Sequence, residues 1–294
     1  SYATPVQRTY YYAYLFFCGV VFFFLIAPLI AIIPISFSVS PFMVFTDEML
    51  TWPPDPDAWS LRWYKNMIGN CSADVVSSTV PCSNKWMIGT VNSFFIGFVA
   101  TFIATTLGTL AALGLSRPHM PYKGLIMAIL ISPMIVPLII TAAGMFFFYA
   151  RINLVYSFTG IILAHVALAT PFVVITVTAT LVGFDMNMVK ASQSLGARPV
   201  RTFFKVIMPL ILPGVISGAL FAFITSFDEV VVVMFMASLD QLTIPKQMWA
   251  GIRQEISPVI LCMATCLVIL SILLLTTVEL LRRRSEKLRG IKSR

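Results

Sequence analysis

The stretch DMNMVKASQSLGARPVRTFFKVIMPLILP, residues 185–213, interrupts a chain that is otherwise almost continuously apolar, and its reading decides how the rest is organised. Its first part, 185–205, is polar and basic, carrying Lys190, Arg198, Arg201 and Lys205 among the small residues Ala191, Ser192 and Ala197. Gly196 stands at the centre, where the missing Cβ permits a left-handed turn. The spacing predicts a short helix, a break at Gly196 and a second helical stretch ending at Pro209. Small residues let another surface approach closely, so the segment suits either a docking knob for a soluble partner or an ordinary amphipathic connector. Its flanks, 152–184 on one side and 206 to about 239 on the other, are too apolar to remain in water.

Four further windows of the same kind lie at 11–38, 86–115, 124–150 and 256–278, giving six expected spans at about 20 residues per crossing. The composition agrees: 59% of the 294 residues are hydrophobic and 11% are charged, where a soluble domain carries about a quarter. The 24 Phe and 15 Met have only lipid or other helices to contact. An outer-membrane barrel is excluded, because its strands are short and alternating instead of continuously apolar. The expected fold is therefore all-α and polytopic, one transmembrane domain over 1–294 with no appended soluble domain. Pro28, Pro34, Pro133, Pro137, Pro171 and Pro213 are expected to kink its helices. The first span is too long for a signal-peptide core and is read as an anchor.

The net charge of +8 reports topology, not a nucleic-acid partner, because the basic residues fall on alternate connections. With the N-terminus inside, the cytoplasmic segments hold Arg8, then Arg117 and Lys123, then Lys190, Arg198, Arg201 and Lys205, then a basic tail over 280–294 beginning with Arg282, Arg283 and Arg284. Both termini are then cytoplasmic, with the tail at the lipid surface. The external loop, 39–85, is rich in Pro, Trp and Asp and reads as a folded cap. Cys71 and Cys82 both fall there, 11 positions apart in a compartment that permits disulfides, and are expected to pair. A bond closing so short a loop is worth about 3 kcal/mol. Cys18, Cys262 and Cys266 lie within spans as apolar filler, and no metal site is expected.

No phosphate loop, H-E-x-x-H or G-x-S-x-G signature occurs, so the chain is not expected to be an enzyme or to hydrolyse ATP itself. The ionisable residues inside the spans are His165, read as a packed or pore-lining histidine, and the adjacent pair Asp228 and Glu229. Carboxylates in a membrane helix are costly and should face the bundle interior or water. Phe223 and Phe227, four apart on one helical face, are positioned to add cation-π contacts, so the four residues are candidates for the passage of a cationic solute. The alternative is that the acid pair sits near the outer end of its span, capping it or contacting a partner protein.

The run Lys190-Ala191-Ser192, Gly196-Ala197 and Ile207-Met208-Pro209 resembles the cytoplasmic coupling loop of binding-protein-dependent ABC importer permeases, the motif written EAA, three residues, G, then I-x-L-P. The likeness extends to SLRWY at 60–64, NS at 92–93, LGTLAALGLSR at 107–117, GIILAH at 160–165, PFV at 171–173, SFDE at 226–229 and ISP at 256–258, which look like the spermidine/putrescine class. The family's usual acid at the head of the loop is Lys190 here, and its third position is Ser192 instead of alanine. The resemblance implies the type I importer fold and a docking role for Lys190, Ala191, Ser192, Leu195, Gly196, Ala197, Ile207 and Pro209. It also implies a second related permease, two copies of an ABC ATPase holding ATP and Mg, and a periplasmic solute-binding protein, all at a bacterial inner membrane. The chain itself would bind no cofactor. Polyamine is the first expectation among the amines, opines, aminophosphonates and metal complexes that such permeases serve. An ATP-independent transporter or channel using Asp228, Glu229 and His165 is the alternative of a different class.

Overall fold

The computed structural model describes residues 4–53, 55–70, 84–117, 119–183, 185, 187–254 and 257–288. They form helices with no strand beyond one isolated bridge, Ser38 to Trp59. Two compact units are distinguished, one of Ser1–Met87 with Ala250–Arg294 and one of Ile88–Trp249.

In the first unit, helix α1 (Pro5–Ile35) starts from Thr4, whose hydroxyl accepts the Gln7 N–H while Gln7 returns the contact. None of its side chains is buried, and Phe16, Phe22, Phe23 and Phe24 stand fully outward, as a lipid-facing helix requires. Helix α13 (Val259–Leu288) packs against α1 and against α3 (Arg62–Met67). Between α1 and α3 run α2 (Asp47–Leu50) and a 3-10 turn, Pro56–Ala58. Trp63 is fully buried and its Nε1 donates to the Ser38 carbonyl at 2.8 Å, and Tyr64 Oη lies 2.7 Å from Ser36 Oγ. Cys262 Sγ donates to the Ser36 carbonyl at 3.3 Å, so α13 is tied to the same turn. The described first part of the 39–85 segment is thus packed. Cys71 and Cys82 lie outside the described residues.

In the second unit, α4 (Lys85–Leu115) is followed by α5 (Lys123–Ile135) and α6 (Leu138–Arg151). The expected single span over 124–150 is a broken pair, bent by 103°. Pro137 has no N–H to continue the ladder and forces Val136 into an extended conformation, ψ 137°. Helix α7 (Phe158–Val182) begins later than the 152 expected, because Ser157 Oγ accepts the Gly160 N–H at 3.1 Å and the preceding turn holds Asn153 and Tyr156 at positive φ. Then come α8 (Asn187–Ser194), α9 (Pro199–Thr202), a π-turn (Phe203–Ile207), α10 (Met208–Phe227), α11 (Val231–Met236) and α12 (Ile244–Gln254).

Two expectations for this region are corrected. The second helical stretch does not end at Pro209, which occupies the first turn of α10, where its missing N–H costs little, and the helix runs on to Phe227. The fifth window is not one helix to 239, because it breaks at Asp228 and Glu229 before α11. The core of this unit is the α7 to α10 seam, where the buried α10 residues Ile211, Gly214, Gly218, Ala222 and Ser226 recur about once per turn. A Cβ on Gly218 would sit 2.6 Å from Thr176 Oγ1, and one on Gly214 would collide with Thr180, so both glycines are there for close approach.

Among the described residues four helices are individually long and apolar enough to cross a membrane, and α5 with α6 makes a fifth if the bent pair is one crossing. The apolar part of α13, Val259–Leu274, is shorter, so length and composition alone do not reach the expected six.

Candidate functional site

Helix α8 ends in a Schellman motif: the Gly196 N–H reaches the Gln193 carbonyl at 2.9 Å and the Ala197 N–H the Ser192 carbonyl at 3.1 Å. This pairing needs a left-handed residue, and Gly196 has φ +78° with open space where a Cβ would stand. Ser192 Oγ is 3.0 Å from Thr202 Oγ1, a bond that ties α8 to α9. Thr202 is buried, and sequence reasoning missed it. The fold places Lys190, Ala191, Ser192, Leu195, Gly196 and Ala197 together on one knob, with Leu195 88% exposed, and a concavity of about 560 Å³ opens beside Met188, Ala191, Ser192 and Arg201. Ile207 and Pro209 belong to the π-turn and the start of α10 instead.

The candidate passage residues separate at the end of α10. Glu229 is 7% exposed and its Oε1 accepts the Val232 N–H at 2.8 Å, so this carboxylate caps α11. Asp228 is exposed and its side chain has no partner among the described residues. Phe223 and Phe227 stack at 5.4 Å between ring centroids, and Phe94 and Phe98 of α4 complete the cluster, Phe94 to Phe227 at 5.2 Å and Phe98 to Phe223 at 5.1 Å. His165 is 1% exposed, with Nδ1 hydrogen-bonded to Ser226 Oγ at 2.8 Å. It joins α7 to α10 one helical step before the acid pair.

Helix α11 is also held at its far end. Lys246 Nζ donates to the Ala237 carbonyl at 2.9 Å and to the Ser238 carbonyl at 3.4 Å, placing a cation where the helix dipole is negative. Partial burial pushes the Lys246 pKa below the ordinary lysine value. Asn92 Nδ2 donates to the Asp240 and Leu242 carbonyls, and Ser93 Oγ accepts the Ile244 N–H at 2.8 Å. The pair Asn92 and Ser93 was legible as a motif but not as the brace of the 238–244 turn. Among the described residues, no group of His, Cys, Asp and Glu is placed to hold a metal.

Residues 104–287 match the family described as binding-protein-dependent transport system inner membrane component. The chain is 28% identical over 270 residues to the spermidine/putrescine transport system permease protein PotC of Haemophilus influenzae, covering 92% of this chain and 96% of that protein. It is 27% identical to the Escherichia coli K12 PotC over 92% of this chain and 94% of that one. The putrescine transport system permease protein PotI of Escherichia coli K12 is 27% identical over 89% and 86% of the two chains. A solved bacterial ABC transporter involved in the import of the acidic polysaccharide alginate has a chain of the same fold, with TM-score 0.71 and 14% identity, covering 97% of this chain and 99% of that one.

Proposed function

The chain belongs to the family of binding-protein-dependent transport system inner membrane components, and from that premise we propose that it forms half of the passage for a small cationic solute, a polyamine first. It is a permease subunit and not an enzyme. The observation that carries the cationic solute is Asp228: an exposed carboxylate at a helix break, without a partner among the described residues and next in sequence to Phe227 of the four clustered phenylalanines. A carboxylate offers an ammonium its charge and aromatic faces offer it their quadrupole, each worth more where water is scarce. Permeases named for spermidine and putrescine over nearly the same length support the same choice, and do not favour an ATP-independent channel.

In this reading the chain works with a second related permease, two ABC ATPase subunits that hold ATP and Mg, and a periplasmic binding protein, in a bacterial inner membrane with six crossings and both termini cytoplasmic. The 185–205 loop receives the ATPase. Its movement is passed to α10 without slack, because Ser192 and Thr202 hold α8 to α9 and the backbone then runs helically through the π-turn to Phe227. The work on this chain is mechanical, a shift between two packed arrangements. Residues 39–85 are read as the external cap and 280–294 as the cytoplasmic tail.

The test is binding of putrescine and spermidine to the cognate binding protein by calorimetry, followed by uptake into proteoliposomes holding the assembled transporter. Saturable, ATP-dependent uptake of a polyamine is expected. A binding protein that takes only anions, with anion uptake by the complex, overturns the solute while leaving the permease assignment in place.

A further inference from the structure

The knob built around Gly196 is strongly one-signed. Lys190, Arg198, Arg201 and Lys205 are all exposed, and none forms an ion pair with a described residue. Asp185 is the one acid in 185–213, and its Oδ1 is engaged by the Asn187 N–H at 2.9 Å. Between the cations stand apolar side chains left in the open, Leu195, Val200 and Phe204. Beside them is the concavity of about 560 Å³ floored by Ala191 and Ser192, whose small side chains leave room for an inserted side chain. Four unneutralised cations with exposed apolar surface and a concavity describe a protein-docking face, since lipid headgroups need charge but no shaped recess.

Resting on the reading of this loop as the ATPase contact, we infer that the ATPase surface it meets is acidic, with carboxylates opposite Lys190, Arg198 and Arg201. A loop headed by an acid in place of Lys190 would call for the reverse polarity at that position. Apolar burial by Leu195 supplies adhesion, and the charges supply register and partner choice. A permease of this kind rejects an ATPase whose groove is basic, because like charges brought together there repel.

The transporter is assembled with its cognate ATPase, and ATPase affinity is measured for the wild-type permease and for Lys190→Glu and Lys190→Arg at low and high NaCl. The wild type is expected to lose about tenfold in affinity between about 0.05 and 0.5 M salt, because exposed charges are screened within a few ångströms at the higher strength. Lys190→Glu is expected to lose about fivefold at low salt and Lys190→Arg to stay within about twofold. Carbodiimide, which joins an amine to a carboxylate with no spacer, is expected to couple Lys190 or Lys205 to an ATPase Asp or Glu, located by peptide mass mapping. An ATPase that binds equally at both salts, binds Lys190→Glu more tightly, or gives no such cross-link overturns the acidic-partner inference alone. A wild-type complex that retains no ATPase at any salt overturns the loop assignment and the inference together. Effects seen only in bilayers of anionic lipid, and absent in detergent, assign the cations to headgroups and overturn it as well.

Discussion

Adjacent carboxylates at 228 and 229 have different work because one is enclosed and one is not. Glu229 is held by the Val232 N–H, whereas Asp228 has no such partner. Glu229→Gln keeps an oxygen that can accept that N–H, so uptake and abundance are expected to stay near wild type, while Glu229→Ala removes the cap at a cost of about 1 kcal/mol and lowers thermal stability of the purified complex. Asp228→Asn is expected to lower uptake of a cationic solute with abundance and melting temperature unchanged. Equal uptake by Asp228→Asn and wild type at matched expression removes Asp228 from the passage. At Gly196 the argument is conformational. No atom lies within 4 Å of a Cβ placed there, so any harm from substitution comes from φ +78° and from whatever docks against it. Gly196→Val carries a strain of about 1 to 2 kcal/mol, and Gly196→Asn, which tolerates the left-handed region, less. Transport and ATPase retention are expected to fall in the order glycine, asparagine, valine, with the permease still in the membrane. Valine at wild-type uptake would show that the loop needs no Schellman turn.

At the scale of elements, the apolar windows located every long helix, because continuous hydrophobicity in this length range has few other outcomes. What they could not locate were the ends and breaks, which are set by single residues: Ser157 starting α7 through its hydroxyl, Pro137 parting α5 from α6 through its missing N–H, Glu229 parting α10 from α11 through its carboxylate. The α7 to α10 seam was legible in principle from Gly214, Gly218, Ala222 and Ser226, small residues four apart, but a hydropathy window averages that pattern away. The partners Thr202 and Asn92 met their targets only through the tertiary fold, over separations no local pattern reports. The seam carries its own prediction. Gly218→Leu inserts a branched side chain where a Cβ already lies 3.0 Å from the Val173 Cα, so backbone must give way and the cost exceeds the usual 1 to 3 kcal/mol of an overpacked site. Low membrane abundance or a melting temperature several degrees lower is expected. Gly114→Leu, where a Cβ would meet nothing within 4 Å, is expected to be mild in the same assay.

For the whole molecule, fold and solute are separate questions: the same fold occurs in a chain of a transporter for an acidic polysaccharide, so the sign of the cargo is not written in the helix arrangement. Topology is written there, and it turns on the bent pair α5 and α6. If the pair crosses the membrane once, the turn at 152–157 is external, α7 returns to the cytoplasm, and Lys190, Arg198, Arg201 and Lys205 lie inside with Arg117 and Lys123. If the pair dips in and returns, 152–157 stays with Lys123 on the inside. Every later connection then changes sides, putting four exposed cations of the 185–205 loop outside, against the rule that retains Lys and Arg in the cytoplasm. Cysteines introduced singly at Asn153 and Gln193, in a chain whose native cysteines are replaced by serine, separate the two cases by labelling with a membrane-impermeant maleimide on intact cells. Asn153→Cys is expected to label and Gln193→Cys to label only after permeabilisation. The opposite pattern makes the pair re-entrant, removes the loop from the ATPase side, and with it the coupling role assigned to Gly196.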